Sequence, residues 1–523
     1  MAESAKQKAG KQWRPSPQDQ GRGTLHKPPK FLLFSGFDSE SVRQKLGTPQ
    51  YSYHFVLTGY LPALQQLGEV VQVQNPETEV DALYDECQAR GQTCLFLCFA
   101  PPHLVPITLR CPTIPVIAWE FSNIPTEMWG EDPRADWRNV FRHCGRAITL
   151  SRHTATLVRA AMGPDFPVFA IPTATYNGFA PLFSPTPRPL PPREISFRGL
   201  LFDSAAEPSL RHVLPWPPEA PPPPAPPPPP PPISGMRARL SRTLYYGEQW
   251  YQEVARDALP GWSKSALRLG GRAARRLYRT ILPRPPAPPP PAPPPEPAHK
   301  IQLSGIIYAS VFSPEDGRKN WHDLLTGFLW AFRGEPGATL VLKMPRGAWE
   351  SMQQHFSHAI SRFAPFACRV VLIYGFLDDT EYAGLVRATD FYVNASNGEG
   401  LCIPLMEFLS AGKPAIAPCH TAMADYVTPR AAFIPHASLE HNVWPFDPRD
   451  LFRTMRYRLN WASLEAAYRE SFHAALDGDG TYQRMSHAAH DTLRDYASIA
   501  KIRALLAKAL RLEAQTPVQE RAE

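Results

Sequence analysis

At 523 residues the chain is too long for one compact core, and 43% apolar residues with 12 Trp, 18 Tyr and 27 Phe exclude a wholly disordered polymer. Its 62 prolines amount to about 12% against a usual level of about 5%, but the 31 glycines show no three-residue period, which excludes collagen. A net charge of +7 is only mildly basic, and no nucleic acid partner is expected from it.

Residues 1–29 are polar and lysine-bearing without an apolar core, and read as a disordered lead rather than a secretory signal. No run approaches the roughly 18 apolar residues of a membrane helix. From Phe31-Leu-Leu-Phe-Ser35 onward, short apolar strands alternate with helical patterns. The helix predicted from His54 to Leu67 carries Leu57, Leu61, Leu64 and Leu67 on one stripe. Strands follow at Val70–Val73, Cys94–Cys98, Pro115–Ala118, Arg146–Leu150 and Phe166–Ile171. That grammar predicts a parallel sheet covered on both faces, in a first domain over 30–184.

Residues 185–299 read as a linker. Fourteen of the 18 residues from Pro215 to Pro232 are proline, and 11 of the 15 from Pro283 to Pro297. Such tracts form stiff polyproline II rods of about 3.1 Å per residue. Between them, residues 234–284 carry eleven basic and three acidic side chains, a net of +8, so the rest of the chain sums to −1. Arg268, Arg272, Arg275, Arg276 and Arg279 interleave with Leu267, Leu269, Leu277, Tyr278 and Ile281. A basic, aromatic-bearing helix suits an anionic membrane surface; a solvated spacer is the other reading.

The strand–helix alternation resumes over 300–480. A strand at Ile306–Ala309 leads through a polar loop to Arg318-Lys319, and Asn320 is the predicted cap of a helix bearing Trp321, Leu324, Leu325, Phe328 and Phe332 on one face. Strands at 339–344, 369–374 and 391–395 follow, with helices between; further helices over 481–512 can cross back onto the first domain, and 513–523 is a tail. Two doubly wound domains place a ligand in the cleft between them, at the carboxyl ends of the strands.

The densest motif is Asn394-Ala-Ser-Asn-Gly-Glu-Gly-Leu-Cys-Ile-Pro-Leu-Met-Glu-Phe-Leu-Ser-Ala-Gly-Lys-Pro-Ala-Ile-Ala417, read as strand, glycine loop, helix, turn and strand. Pro404 suits the first helical position and Gly412 the position past the end. Gly398 and Gly400 allow close approach of backbone to a ligand, and the helix N-terminus after Leu401 suits phosphate. Glu399 and Glu407 frame the site eight positions apart, where carboxylates pair with sugar or ribose hydroxyls.

With its strand before and Ala-Gly-Lys-Pro after, this stretch resembles the Glu-x7-Glu signature of the GT-B retaining glycosyltransferases, in particular family 4. Ser304–Lys343 and Ala147–Gly178 resemble that family's equivalent stretches, and the likeness spans roughly 30–184 and 300–512. The resemblance implies a GT-B fold: two Rossmann-like α/β domains facing a cleft, here with the proline-rich basic insert between them. It implies a retaining transfer of sugar from a nucleotide sugar to a glycan or lipid-linked acceptor, in bacterial-type cell-surface polysaccharide assembly. Glu399 would lie against the donor sugar and Glu407 against the ribose. Lys319, with Arg318 and the backbone near Gly400 and Leu401, would neutralise the diphosphate without a metal or other cofactor. The protein would be cytoplasmic and peripheral to the inner membrane face.

The chain departs from the family in three places. The usual Gly-Arg pair is absent from Tyr308–Lys319, Thr48–Gly59 stands where the family has a glycine-rich loop, and Trp119-Glu-Phe-Ser-Asn123 stands where many members have a His. Glu120 is therefore a candidate for binding acceptor or donor, or a strand-end carboxylate that caps a helix. His54, His153 and His420 read as cap or surface histidines. Asp477-Gly-Asp479 reads as a loop, and the eight cysteines as free, mostly buried thiols. The competing function is a catalytically inactive GT-B scaffold whose polyproline arms bind partners with aromatic grooves.

Overall fold

The computed structural model describes residues 27–36, 52–128, 131–186, 192–207, 297–345, 349–445, 447, 449 and 451–512. The first polyproline tract, the second up to Glu296, the basic segment 234–284, most of 1–29, the stretch 48–51 and the tail lie outside the described residues.

Short runs such as Phe31-Leu-Leu33 are buried on both faces, and a strand of that kind is stable only inside a covered parallel sheet. The strands are β1 (Lys30–Phe34), β2 (Glu69–Gln72), β3 (Cys94–Phe99), β4 (Thr113–Ile117), β5 (Ala147–Thr149) and β6 (Val168–Ala170). Among the described residues they form one parallel sheet in the order β2-β1-β3-β4-β5-β6. The connecting helices are α1 (Ser52–Gln65), α2 (Pro76–Ala89), α3 (Trp137–Cys144), α4 (Arg152–Met162) and α5 (Tyr176–Phe179). On α1 the buried set is Tyr53, Val56, Leu57, Tyr60, Ala63 and Leu64; Leu61 and Leu67 of the predicted stripe are only partly covered.

The span expected as linker contains structure. Strands β7 (Arg193–Arg198), β8 (Leu200–Asp203) and β9 (Ala298–Leu303) lie at its two ends. In Arg193-Glu-Ile-Ser-Phe-Arg198 the apolar residues alternate, so Ile195 and Phe197 face inward while β7 pairs antiparallel with β9.

The second sheet comprises β10 (Ile306–Val311), β11 (Ala338–Met344), β12 (Arg369–Tyr374), β13 (Phe391–Val393), β14 (Ala415–Ile416) and β15 (Ala432–Phe433), with β8 added antiparallel at the β12 edge. Its order, β15-β14-β13-β10-β11-β12-β8, reverses direction between β10 and β13. Helices α6 (Trp321–Ala331), α7 (Trp349–Ser361), α8 (Asp379–Ala388) and α9 (Ile403–Ser410) connect these strands. Among the described residues the chain thus builds two Rossmann-like parallel sheets with connecting helices.

A hairpin unforeseen from the sequence, β16 (Ala437–Val443) and β17 (Arg453–Leu459), follows β15. Its connection places Trp444 and Phe452 in a cluster with Trp119, Phe121 and Trp137 of the first domain. The Trp119 and Trp137 rings lie 4.6 Å apart and the Trp119 and Trp444 rings 5.6 Å. After α10 (Trp461–Leu476) and α11 (Thr481–Ala497), the chain returns to the first domain in α12 (Ile499–Ala509). There the Ile499 amide donates to Asn177 Oδ1 at 2.8 Å, and Leu506 shares a core with Leu57.

Arg193 locks β7 to the second sheet. Its guanidinium donates to both Asp390 oxygens at 2.8 and 2.7 Å and to the carbonyls of Ala388 and Gly305. Asp390 also accepts from the Ile307 amide at 2.8 Å and is 2% exposed at its side chain. Removing one partner strands a buried charge. Arg193→Met should therefore lower stability by about 3–5 kcal/mol in urea unfolding, and Arg193→Met with Asp390→Leu should recover part of that loss.

Candidate active site

Where strand order reverses, the loops after the two central strands open outward from their carboxyl ends and leave a crevice. Here those loops are 312–320, after β10, and 394–402, after β13, and they carry Arg318 and Lys319 on one side and Glu399 on the other. Strand β4 of the first domain ends at Ile117, three residues before Glu120.

Glu399 is the centre. Its side chain is 3% exposed, and Lys319 Nζ donates to Oε1 at 2.7 Å and Oε2 at 2.9 Å. Arg318 Nη1 donates to Oε2 at 2.8 Å and Ser396 Oγ to Oε1 at 2.6 Å. Burial works to raise the Glu399 pKa, but the Lys319 and Arg318 charges outweigh it and hold the carboxyl well below the usual range. Lys319 is raised by Glu399 against both burial and the adjacent Arg318 charge.

Arg318 bridges the domains. Its Nε lies 3.2 Å from Glu120 Oε1 and 2.9 Å from Asp316 Oδ2, and Nη1 also donates to the Gly398 carbonyl at 2.8 Å. Burial opposes its charge, yet the Glu120, Glu399 and Asp316 carboxylates raise its pKa well above the ordinary value. Burial raises the Glu120 pKa against the Arg318 charge. The geometry gives Glu120 an ion pair with Arg318, which neither sequence alternative named.

The two loop glycines approach protein, where the sequence suggested a ligand. A Cβ at Gly398 would stand 3.1 Å from the Glu120 carbonyl oxygen, and one at Gly400 would stand 2.9 Å from Ala118 Cβ. Close interdomain packing therefore requires glycine at Gly400. Leu401 is buried, and its carbonyl accepts from Tyr426 Oη at 2.7 Å.

Backbone strain gathers here. Asn320, Cys402 and Thr421 have φ of 49°, 64° and 50°, and a β-branched residue at such an angle is a genuine outlier. Asn320 is no side-chain N-cap; it closes the turn Gly317–Lys319 in a left-handed conformation, and its Nδ2 donates to Asp323 Oδ2 at 3.1 Å. Thr421 holds the motif loop from below, its Oγ1 accepting from the Glu399 amide at 3.0 Å.

Glu407 forms a separate group on α9. Tyr382 Oη of α8 donates to its Oε2 at 2.6 Å. Burial pushes the carboxyl up to about 7, against that hydrogen bond and the Lys343 charge. Burial also lowers Lys343, near the end of β11, to about 8. Lys343, Tyr382, Asp316 and Ser396 were not singled out in the sequence. Ser396 lies within the motif and Lys343 near a strand end, signals that were present but unread.

Of the histidines read as cap or surface residues, His420 stands at the cap position of the turn Thr421–Asp425 but is buried, and His153, partly buried in the first turn of α4, has Nε2 2.8 Å from the Phe121 carbonyl. Asp477-Gly-Asp479 is a loop, with Asp479 Oδ1 accepting from the Thr481 amide at 2.8 Å. Among the described residues no group of three or more His, Cys, Asp or Glu side chains could hold a metal ion, and no helix is long and apolar enough to cross a membrane.

No family model matches the chain, and neither does any curated protein. Among solved structures it is similar to Anabaena HepE in complex with UDP and glucose, at 11% identity and a TM-score of 0.46, over 92% of this chain and 100% of that one. It is similar to sucrose-phosphate synthase from Thermosynechococcus elongatus at 11% identity and a TM-score of 0.48, over 93% and 100%. A glycosyltransferase from Rickettsia africae matches at 9% identity and a TM-score of 0.46, over 94% and 100%.

The Glu407 pKa is raised in the folded state, so its stabilising contribution is full below the ordinary carboxylate pKa and is lost as pH rises through about 7. Glu407→Gln should flatten the fall in unfolding midpoint between about pH 5 and pH 8, measured by urea titration at each pH.

Proposed function

We propose that the chain is a retaining, metal-independent glycosyltransferase that moves a sugar from a nucleotide sugar to a glycan or lipid-linked acceptor in bacterial-type cell-surface polysaccharide assembly. One observation carries this reading. Arg318 and Lys319 converge with Glu399 at the switch point of the second sheet, where Glu120 of the first domain closes the cluster.

In this reading Lys319 and Arg318 turn from Glu399 to the donor diphosphate and stabilise the charge that develops as the sugar–phosphate bond breaks. Two cations in a desolvated cleft supply that stabilisation, and the scheme routes no step through a metal. Glu399, released from them, accepts hydrogen bonds from the donor sugar. Glu407, held by Tyr382, accepts from the ribose hydroxyls. The acceptor attacks on the face the leaving group vacates, and a departing phosphate oxygen takes its proton. Glu120 faces the same cleft and orients Arg318.

A second reading, the inactive scaffold, is favoured by the self-neutralised state of the cluster: both cations are already paired with carboxylates, and Gly398 and Gly400 abut the first domain. The two readings diverge in a titration of UDP-, GDP- and ADP-sugars followed by nucleotide release. The enzyme should bind one donor and release its nucleotide. Lys319→Ala should weaken donor binding by roughly 10–100-fold, the range of a lost charge-assisted hydrogen bond. No donor bound, or no change in Lys319→Ala, sinks the enzyme reading.

The same proposal places the protein in the cytoplasm, at the inner membrane face, through residues 234–284. Their +8 charge would attract anionic lipid by about 1 kcal/mol per basic residue near the surface. Deleting 234–284 should abolish sedimentation with phosphatidylserine vesicles; unchanged sedimentation contradicts this placement.

A further inference from the structure

Three carboxylates share two cations at the switch point. Glu399 meets Lys319 and Arg318, and Arg318 Nε also lies 3.2 Å from Glu120 Oε1 and 2.9 Å from Asp316 Oδ2. With all five groups ionised, the cluster holds one negative charge in excess. Its carboxylates are unequally served. Glu399 keeps further donors in Ser396 Oγ at 2.6 Å and Asn394 Nδ2 at 3.4 Å, and the Asp316 side chain is 34% exposed to water. Glu120 is 18% exposed at its side chain, and among the described residues Arg318 is the one group that pairs with it.

The same crevice is where the reading above seats a diphosphate. In a nucleotide sugar that group carries two negative charges and does not titrate near neutral pH, so its arrival leaves three in excess at a cluster largely shielded from water. One negative charge about 6 Å from a carboxylate raises its proton affinity roughly a hundredfold at an effective dielectric constant of about 20. The diphosphate also takes a share of Arg318, the cation on which Glu120 depends. The other groups that face Glu120 offer no relief. Asp316 and Glu399 add negative charge, and Lys319 is held by Glu399. Tyr53 Oη of α1 accepts from the Ala118 amide at 3.1 Å, and burial keeps its own proton in place. Nor can the Glu120 backbone withdraw, because the Gly398 loop packs on it. Burial already raises the Glu120 pKa against the Arg318 charge.

We infer that Glu120 takes a proton from solvent when a nucleotide sugar binds and keeps it, as a neutral carboxylic acid, for as long as the donor remains. This rests on the nucleotide-sugar reading above. The added proton does for the charge sum what a third cation would. Donor affinity is thereby tied to pH through a residue of the first domain. The bound state holds one proton more at Glu120 than the free state, so affinity falls as pH rises. The fall is about tenfold per pH unit wherever the free carboxyl is ionised and the bound one is not.

The test is calorimetric, on the full chain, with UDP-glucose, GDP-mannose and ADP-glucose between about pH 6 and pH 8.5. Buffers of different ionisation enthalpy are compared, so that the dependence of heat on buffer counts the protons taken up. Glu407 and Lys343 titrate in the same range, so the quantity read is the difference between wild type and Glu120→Gln, whose amide is neutral throughout. Wild type should take up about one proton more than Glu120→Gln. At the alkaline end Glu120→Gln should bind the donor about 10-fold more tightly than wild type, a gain that a packing defect does not give. Equal proton counts in the two chains overturn the inference and leave the enzyme reading standing. Donor binding lost from Glu120→Gln at every pH also overturns it, because a neutral side chain there is what the bound state requires. A wild-type chain that binds none of the three donors overturns both.

Discussion

A desolvated carboxylate held by two cations governs this structure. Glu399 stays ionised out of water only because Lys319 and Arg318 reach it, and they come from a loop that Asn320 closes with a left-handed residue. Arg318 in turn reaches Glu120, so the same charge that satisfies the second domain also touches the first. The glycines beside Glu399 are the steric counterpart, since a side chain at Gly400 would force Ala118 away. Charge balance and domain closure are one constraint here: anything that displaces Glu399 from its cations also loosens the contact between the sheets.

A second layer holds that constraint in place. The tryptophan cluster around Trp119 and Trp444 fixes the segment leading to Glu120, and Arg152 with Asp425 ties α4 to the turn that begins at Thr421. These contacts lie outside the crevice and touch none of its charges. They set the spacing at which the ion pairs form, which is why strained residues such as Thr421 persist beside them.

Much of the fold was legible in the sequence because parallel strands buried on both faces leave continuous apolar runs, as at Cys94–Phe99 and Arg369–Tyr374. The motif around Glu399 and Glu407 was legible because glycine, proline and carboxylate positions repeat a local geometry. The hairpin was not, since Leu439 and its neighbours alternate poorly and its apolar residues Trp444 and Phe452 lie in the connection, packing against a domain some 300 residues earlier in the chain. The pairing of Arg193 with Asp390 was equally hidden, because sequence carries no trace of which buried charges meet across 197 positions. The burial of His420 was hidden for the same reason: its ring stacks on Tyr457, a residue of the hairpin.

The antiparallel pairing of β7 with β9 brings Arg198 opposite Ala298. The chain leaves that pair through β8, which adds to the β12 edge and ends at Asp203, and it returns in β9; Arg369 of β12 holds both, donating to Asp203 Oδ1 and to the Gln302 carbonyl. A segment attached that way can lengthen, shorten or be exchanged at little thermodynamic penalty, since doubling a loop costs only about 0.6 kcal/mol. The proline-rich, basic stretch between those strands is therefore free to evolve as a module, and the same junction is where the chain would best tolerate new termini or a fused domain.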